Sequence, residues 1–218
     1  MTMKRMLLGC VLALATFFGL LEAAPPAGSP FISPLVARPA SIAGHPFSAE
    51  EAVQLTMLAA KNPQPERSYK YYRDAMGRTL SLPARNPVYN PGLTEIVDPV
   101  AGYWYVLDAS KQIAHRAKIL GALQRPHLAP NPNSTSLGSQ YLLGVQAEGQ
   151  RTITPNGATI EIWICKDLQL PLIQRSSDSI STGLTQITNL HLGDPSPELF
   201  QIPSGYAVVD ETTPFTVE

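Results

Sequence analysis

The sequence predicts a mainly β fold: one curved antiparallel sheet, a meander or half-barrel, with a short helix or helical turn against it. Short alternating segments broken by turn residues run from Leu137 to about Glu211. A second series of strand-like segments joined by short turns precedes them. The chain also has 21 prolines and 15 glycines, a composition that favours many turns and argues against a helical bundle.

The first series of hairpins lies between residues 68 and 117. The segment 68–73 is rich in tyrosine, and Asp74–Gly77 is the turn predicted after it. The strands predicted for this half are 68–73, 78–82, 93–97, 103–107 and 112–117. The segment 121–136 holds three prolines and is predicted to be a surface loop.

The second series fills the C-terminal third of the chain. Its predicted strands are 140–143, 145–154, 160–165, 170–175 and 184–190, for a total of about nine or ten strands. Ile160, Ile162 and Ile164 alternate, so we expect them on one face, with Ile162 in the main core. Asp194 or Ser196 is expected to cap a single helical turn.

The segment 47–61 is ambiguous. The sequence Ser48-Ala-Glu-Glu51 resembles a capping box, and the residue composition favours a helix. The alternation of Val53, Leu55 and Met57 favours a strand instead.

The N-terminus has the anatomy of a secretory signal. Lys4 and Arg5 precede an uncharged apolar run, and Ala23 is the expected cleavage position. The run of about 16 residues is shorter than the roughly 20 that a membrane-spanning helix needs. The predicted organisation is therefore a signal peptide at 1–23, a proline-rich disordered linker at 24–46 and a single β domain at 47–218. A lipobox, with a lipid on Cys10, is the alternative interpretation.

Composition excludes several classes of function. A net charge of −1 with 15% charged residues leaves no electrostatic footprint for nucleic acid or for an anionic membrane surface. After cleavage Cys165 is the remaining cysteine, so an internal disulfide is not expected; a buried inert thiol is the simplest interpretation, and an intermolecular disulfide or reactive thiol the alternatives. No spacing of histidine, cysteine or carboxylate predicts a metal site, and no nucleophile or phosphate-binding motif is present. We therefore expect no catalytic residues, no metal and no cofactor.

The C-terminal block carries a resemblance to a family. Its matching stretches include Gly144–Thr152, Gly193–Phe200 and Pro203–Glu211. In these it resembles a group of uncharacterised exported bacterial proteins common in acidobacteria, which is in turn similar to LolA-like lipoprotein carriers. The resemblance implies a curved sheet around an apolar concavity, and it favours a strand after Phe47.

Aromatic residues in strands are the candidate ligand-binding residues. They are Trp104, Trp163, Tyr103 and Tyr105, and alternation places Trp104 on the face opposite Tyr103 and Tyr105. The functional expectation is an exported, periplasmic or extracellular, non-enzymatic protein that binds an apolar or lipidic ligand. A structural or interaction module of the envelope, with an envelope protein as its partner, is the alternative, and a hydrolase with an unrecognised site is the least favoured. Neither a nucleic-acid partner nor a membrane span after signal cleavage is expected.

Overall fold

The computed structural model describes residues 31–32, 42–59, 66–82, 93–119, 134–213 and 215–217. The expected signal peptide lies outside the described residues, as do 24–30 and 33–41 of the expected linker and 121–133 of the predicted loop. Within the linker range, Phe31–Ile32 forms a short strand, and the N–H of Gly44 donates to the carbonyl of Ala75 at 2.9 Å.

Fourteen strands and one 3-10 turn make up the described structure. The strands are β1 (Phe31–Ile32), β2 (Phe47–Met57), β3 (Arg67–Arg73), β4 (Thr79–Leu82), β5 (Leu93–Asp98), β6 (Tyr103–Asp108), β7 (Ile113–Lys118), β8 (Ser134–Leu142), β9 (Val145–Ile153), β10 (Thr159–Cys165), β11 (Leu170–Ser177), β12 (Ser181–Leu192), β13 (Ala207–Asp210) and β14 (Phe215–Thr216). The 3-10 turn is Pro197–Phe200. The predicted mainly β class is confirmed.

Twelve of these strands form one open, curved sheet. Its order is β13-β7-β6-β5-β4-β3-β2-β12-β11-β10-β9-β8. Two meanders, β2 to β7 and β8 to β12, therefore meet where β2 pairs with β12. The single predicted meander of nine or ten strands is in fact these two, with β13 added at one edge.

The segment after Phe47 is a strand, as the resemblance implied. β2 pairs with β3 on one side and with β12 on the other. Backbone hydrogen bonds to two neighbours outweigh the helix propensity of the local sequence. The helical interpretation is wrong for 47–59, the part of this segment that the structure describes.

β13 departs from the antiparallel pattern, because it pairs with β7 in parallel. A parallel pairing needs a long crossover rather than a tight turn, and here the crossover comprises the whole second meander, β8 to β12, followed by the segment 193–206. That segment contains the expected helical turn. Ser196 makes no side-chain capping bond to the backbone, and Asp194 Oδ1 instead accepts from the N–H of Ala75 at 2.8 Å.

Three apolar clusters form the core. One is centred on Trp104, one on Phe47 and Leu172, and one on Ile96 and Phe200. Ile162 belongs to none of them and is half-buried, so its expected place in the main core is wrong. Register explains this result: Ile162 lies opposite Gln150 on β9 and Gln174 on β11, so polar neighbours surround it.

Candidate functional site

Between β8 and β2, the side chains on the two faces of the sheet differ in how far they are exposed to solvent. Cross-strand partners place Ile162, Gln174, Thr185 and Val53 in one row on one face. These four are half-buried, as is Gln150 of β9 beside Ile162, whereas Ser136 of the edge strand β8 is exposed. We call this the sheltered face.

The opposite face carries the row Thr135, Arg151, Glu161, Arg175, Leu184 and Gln54. Both arginines, Thr135 and Gln54 are exposed. We call this the exposed face. Because the same strands shelter one face and expose the other, the sheet is concave towards the sheltered side in this half.

An aliphatic trough lies on the sheltered face. Ile160 and Ile162 line one side from β10, and Val53 and Leu55 line the other from β2. With strands spaced by about 4.8 Å, the two sides lie roughly 14 Å apart along the sheet. All four are half-buried, and none belongs to the three core clusters.

Small and polar residues form the floor of this trough. They are Gln174, Ser176, Gly183 and Thr185, contributed by β11 and β12. Gly183 has no side chain to fill the trough. A Cβ at this position would lie only 2.6 Å from Ser176 Oγ, so that hydroxyl group would have to rotate away. Aliphatic sides with a low floor suit an elongated apolar ligand.

A braced charge cluster marks the exposed face. Glu161 accepts from Arg151 Nη2 at 2.8 Å, from Arg175 Nη1 at 3.1 Å and from Trp163 Nε1 at 3.0 Å. The hydrogen bond from Arg151, followed by that from Trp163, holds the pKa of Glu161 below its usual value. A depression of about 300 Å³ lies over this cluster, lined also by Ile153 and the hydroxyl residues Thr159 and Ser177.

The candidate aromatic residues fall in three places. Trp104 lies on the sheltered face but is fully buried, with Phe215 of β14 at 6.3 Å between ring centroids. Tyr103 and Tyr105 lie together on the other face, 6.4 Å apart. Trp163 shares that other face and lies across Gly149 in the second meander. The expected opposition of Trp104 to the two tyrosines is confirmed, whereas the two tryptophans belong to different clusters.

Arg73 is a buried cation that sequence reasoning missed. It donates from Nε to the carbonyl of His45 at 2.8 Å and from Nη2 to the carbonyl of Leu168 at 2.9 Å. Its guanidinium also lies 4.5 Å above the ring of Phe47. The residue thus joins the β10–β11 turn to the start of β2. No local sequence pattern predicts a contact between residues so far apart in the chain.

The described residues contain no group of three or more histidine, cysteine or acidic side chains placed to hold a metal. The closest approach to catalytic chemistry is His115, whose Nδ1 lies 2.6 Å from Glu211 Oε1. Its ring stacks on Phe215 at 4.7 Å, so the pair anchors the C-terminal segment. In the part of the chain that the structure describes, no helix is long and apolar enough to cross a bilayer.

No family model and no curated protein matches the sequence. Solved structures of similar shape include an uncharacterised conserved protein from Thermus thermophilus, at 12% identity and TM-score 0.46, covering 77% of this chain and 91% of that one. The Pseudomonas aeruginosa MucA/MucB complex matches at 14% and TM-score 0.44, over 76% of this chain but 58% of that one. A LolA superfamily protein from Nitrosomonas europaea matches at 9% and TM-score 0.32, over 74% and 92%. Structural neighbours thus include the LolA superfamily at low identity, and values of this size carry no argument about what the chain binds.

Proposed function

We propose that this chain is an exported, non-enzymatic protein of the periplasm or cell exterior that binds an apolar or lipidic ligand on the sheltered face. The aliphatic trough between Ile160/Ile162 and Val53/Leu55 carries this proposal. Its side chains are sheltered by curvature without being packed in a core cluster. Apolar surface arranged in this way is typical of a site that a ligand completes.

The energetic gain from a ligand is sizeable. Full burial of one aliphatic side chain is worth about 1.5–3 kcal/mol. Four half-buried side chains can therefore contribute several kcal/mol, and burial of the ligand's own apolar surface must supply the rest of the roughly 8 kcal/mol that micromolar binding needs, together with the cost of immobilising the ligand. No reacting group is required for this role.

The four candidate aromatic residues differ in where they lie relative to the trough. Trp104 shares the sheltered face, and a long ligand reaches it only by displacing Phe215. Trp163, Tyr103 and Tyr105 lie on the other face, where a ligand would require a second mode of binding. Comparing Trp104→Phe with Trp163→Phe identifies which indole reports a bound lipid, and we expect Trp104.

The test is titration of the purified, soluble protein with a fluorescent fatty-acid analogue. We expect micromolar binding that Ile162→Glu weakens by at least about tenfold, because a carboxylate in the trough must be desolvated. Val208→Glu is the matched control, since Val208 is 45% exposed at the distant edge strand. Equal binding by wild type and Ile162→Glu, or no binding by wild type, would refute the proposal.

A second candidate function, an envelope interaction module, is favoured by the edge strand β8. This nine-residue strand carries no charge and pairs with β9 alone among the described strands. Uncharged edge strands are templates for a partner strand. Native mass spectrometry of protein from its own host separates the two functions, because it shows either a bound lipid or a bound polypeptide.

A further inference from the structure

We propose that the edge strand β8 pairs antiparallel with β8 of a second copy of this chain, which joins two sheets across a two-fold axis at Ser139. The inference rests on the second candidate function above and deepens it by naming the partner of β8. Three properties of the strand support it: an unprotected edge, side chains that complement their own antiparallel copy in size, and the absence of repelling charge.

The two edges of the sheet differ in how well they are protected against a partner strand. At one edge β13 has only four residues, ends in Asp210 and pairs in parallel with β7. At the other edge β8 has nine residues and no charged side chain. Among the described strands only β9 pairs with it. Short length and charge are common means of keeping an edge strand from pairing, and β8 has neither of these two.

A bulge divides β8 without ending it. The pairing with β9 shifts directly after Ser136, so Leu137 is an extra residue. Ser136 and Ser139 lie opposite Gln150 and Glu148 of β9, and they therefore share the sheltered face despite their odd spacing. A partner strand that leaves Leu137 unpaired keeps the alternation of faces along the whole of β8.

The side chains of β8 complement their own antiparallel copy in size. Apart from the bulge, residues 135–138 are small and residues 140–142 are large. About an axis at Ser139, the opposed residues are Ser139 with itself, Gly138 with Gln140, Ser136 with Tyr141 and Thr135 with Leu142. Each large side chain then lies beside a small one on the same face, and Tyr141, which is 76% exposed in one copy, packs beside the partner strand. An axis at Gly138 would instead oppose two glycines, which make no side-chain contact.

The charges beside β8 do not repel a second copy. Glu148 of β9, opposite Ser139, is paired with Lys166 at 2.5 Å. The two copies of Glu148 are separated by three strand spacings, about 14 Å, which exceeds the screening length of about 8 Å in physiological salt. Arg151, the other charged residue of β9, is paired with Glu161. A second copy therefore meets an interface without uncompensated like charges.

The expected dimer is weak and symmetric. Pairing along one strand buries less surface than the roughly 1,600 Å² of a standard interface. We therefore expect a dissociation constant of about 10–100 µM. The two-fold axis is perpendicular to the joined sheet, because opposed residues of antiparallel strands point to the same side. Both sheltered faces then lie on one side, and the two troughs open in the same direction.

Charge substitutions at one opposed pair test the register. Ser136→Lys/Tyr141→Lys and Ser136→Glu/Tyr141→Glu place like charges opposite each other across the axis, whereas Ser136→Lys/Tyr141→Glu places opposite charges there. Within one copy the two residues are roughly 13 Å apart along the strand, so their mutual effect is weak. By sedimentation equilibrium, we expect each like-charge variant to dimerise at least about tenfold more weakly than the opposite-charge variant.

Mixing the two like-charge variants is the sharpest measurement. Every substituted pair in a mixed dimer joins an introduced lysine to an introduced glutamate, so we expect the mixture to dimerise at concentrations where neither component does so alone. Val208→Lys, on the exposed edge strand β13, is the control and should dimerise like wild type. A wild type that is monomeric at about 500 µM, a mixture that stays monomeric, or native mass spectra that show another polypeptide on β8 in place of a second copy would overturn the inference.

Fatty-acid binding by the wild-type protein separates this inference from the proposed lipid-binding function. A protein that binds the fluorescent fatty-acid analogue but stays monomeric keeps that function and loses the dimer. A protein that dimerises through β8 but binds no fatty acid loses that function and keeps the dimer.

Discussion

Single contacts decide how closely the strands of the second meander approach. The six-membered ring of Trp163 lies across Gly149, where a Cβ would be 2.7 Å from two ring atoms. The indole cannot move away freely, because its Nε1 donates to Glu161 and Glu161 is held by two arginines. Gly149 is thus required by a neighbouring side chain rather than by its own backbone conformation.

Gly149→Ala is expected to lower the free energy of unfolding by about 1–3 kcal/mol, because the indole must tilt and lose its bond to Glu161. Gly183→Ala is the matched comparison and should cost less, since Ser176 Oγ can rotate away from the new methyl group. Urea titration measures both values. An equal or larger loss for Gly183→Ala would contradict this account of Trp163.

At the scale of elements, the β10–β11 hairpin leaves the main sheet at one end. β11 pairs with β12 from Ile173 to Ser177, while Leu170–Leu172 lie beyond that ladder. A register shift follows Trp163 on β10. The free end meets Phe47 and Arg73, and Leu172 becomes buried to 1% exposure there. The hairpin therefore packs into the core at its turn and borders the open trough along its length.

Because one end of this hairpin is in the core and the other is not, we expect substitutions along it to lower the free energy of unfolding by different amounts. Leu172→Ala should destabilise the protein by about 2–5 kcal/mol, as for other fully buried leucines. Ile162→Ala, in the trough, should cost about 1 kcal/mol or less. Chemical denaturation compares the two. A larger loss for Ile162→Ala would place that isoleucine in the core and remove the trough.

At the scale of the whole molecule, the two meanders are completed differently. Over the first, β14 packs on the sheltered face and the 3-10 turn packs on the other, where Arg78 lies 5.1 Å from the ring of Phe200. β13 extends the sheet, and Arg116 holds it through a two-bond pairing with Asp210 at 2.7 and 2.9 Å. No described cluster covers the trough of the second meander. The first meander is therefore covered on both faces, whereas the second has its own core cluster around Leu172 and an uncovered trough beside it.

The substitution Phe215→Ala tests whether β14 seals the sheltered face of the first meander. Removing a ring packed between Trp104 and His115 is expected to cost about 3 kcal/mol. Water would then reach the indole of Trp104, so its emission should shift to the red in a Trp163→Phe background. Val208→Ala, at the exposed edge, should change neither stability nor emission. Unchanged emission in Phe215→Ala would show that β14 does not seal this face.

Local chemistry explains which elements were predictable. Asp74, Asp98 and Asp108 each accept backbone N–H groups within their own turns, and such turns are encoded by a few adjacent residues. Strand limits between 68 and 117 therefore agree with the structure to within a residue or so. The start of β8 at Ser134 was missed, because the prolines before it suggested a loop.

The candidate site was less predictable than the strands. Aromatic residues were selected for their chemistry, yet Trp104 is covered by β14, a contact across more than a hundred residues of chain. The trough residues Val53 and Leu55 lay in the segment with two interpretations. The arginines and Glu161 come from three strands, and nothing in their spacing indicates that they meet.

The sequence by itself determined the fold class, the hairpins and the alternation that separates Trp104 from Tyr103 and Tyr105, because these follow from turn residues and the two-residue period of a strand. Tertiary structure alone decided that β2 joins the two meanders, that β13 adds in parallel, and that Ile162 borders a trough instead of a core. These outcomes depend on which distant strands pair and in which register. Register is set by the summed burial of whole strands, and no local segment contains that sum.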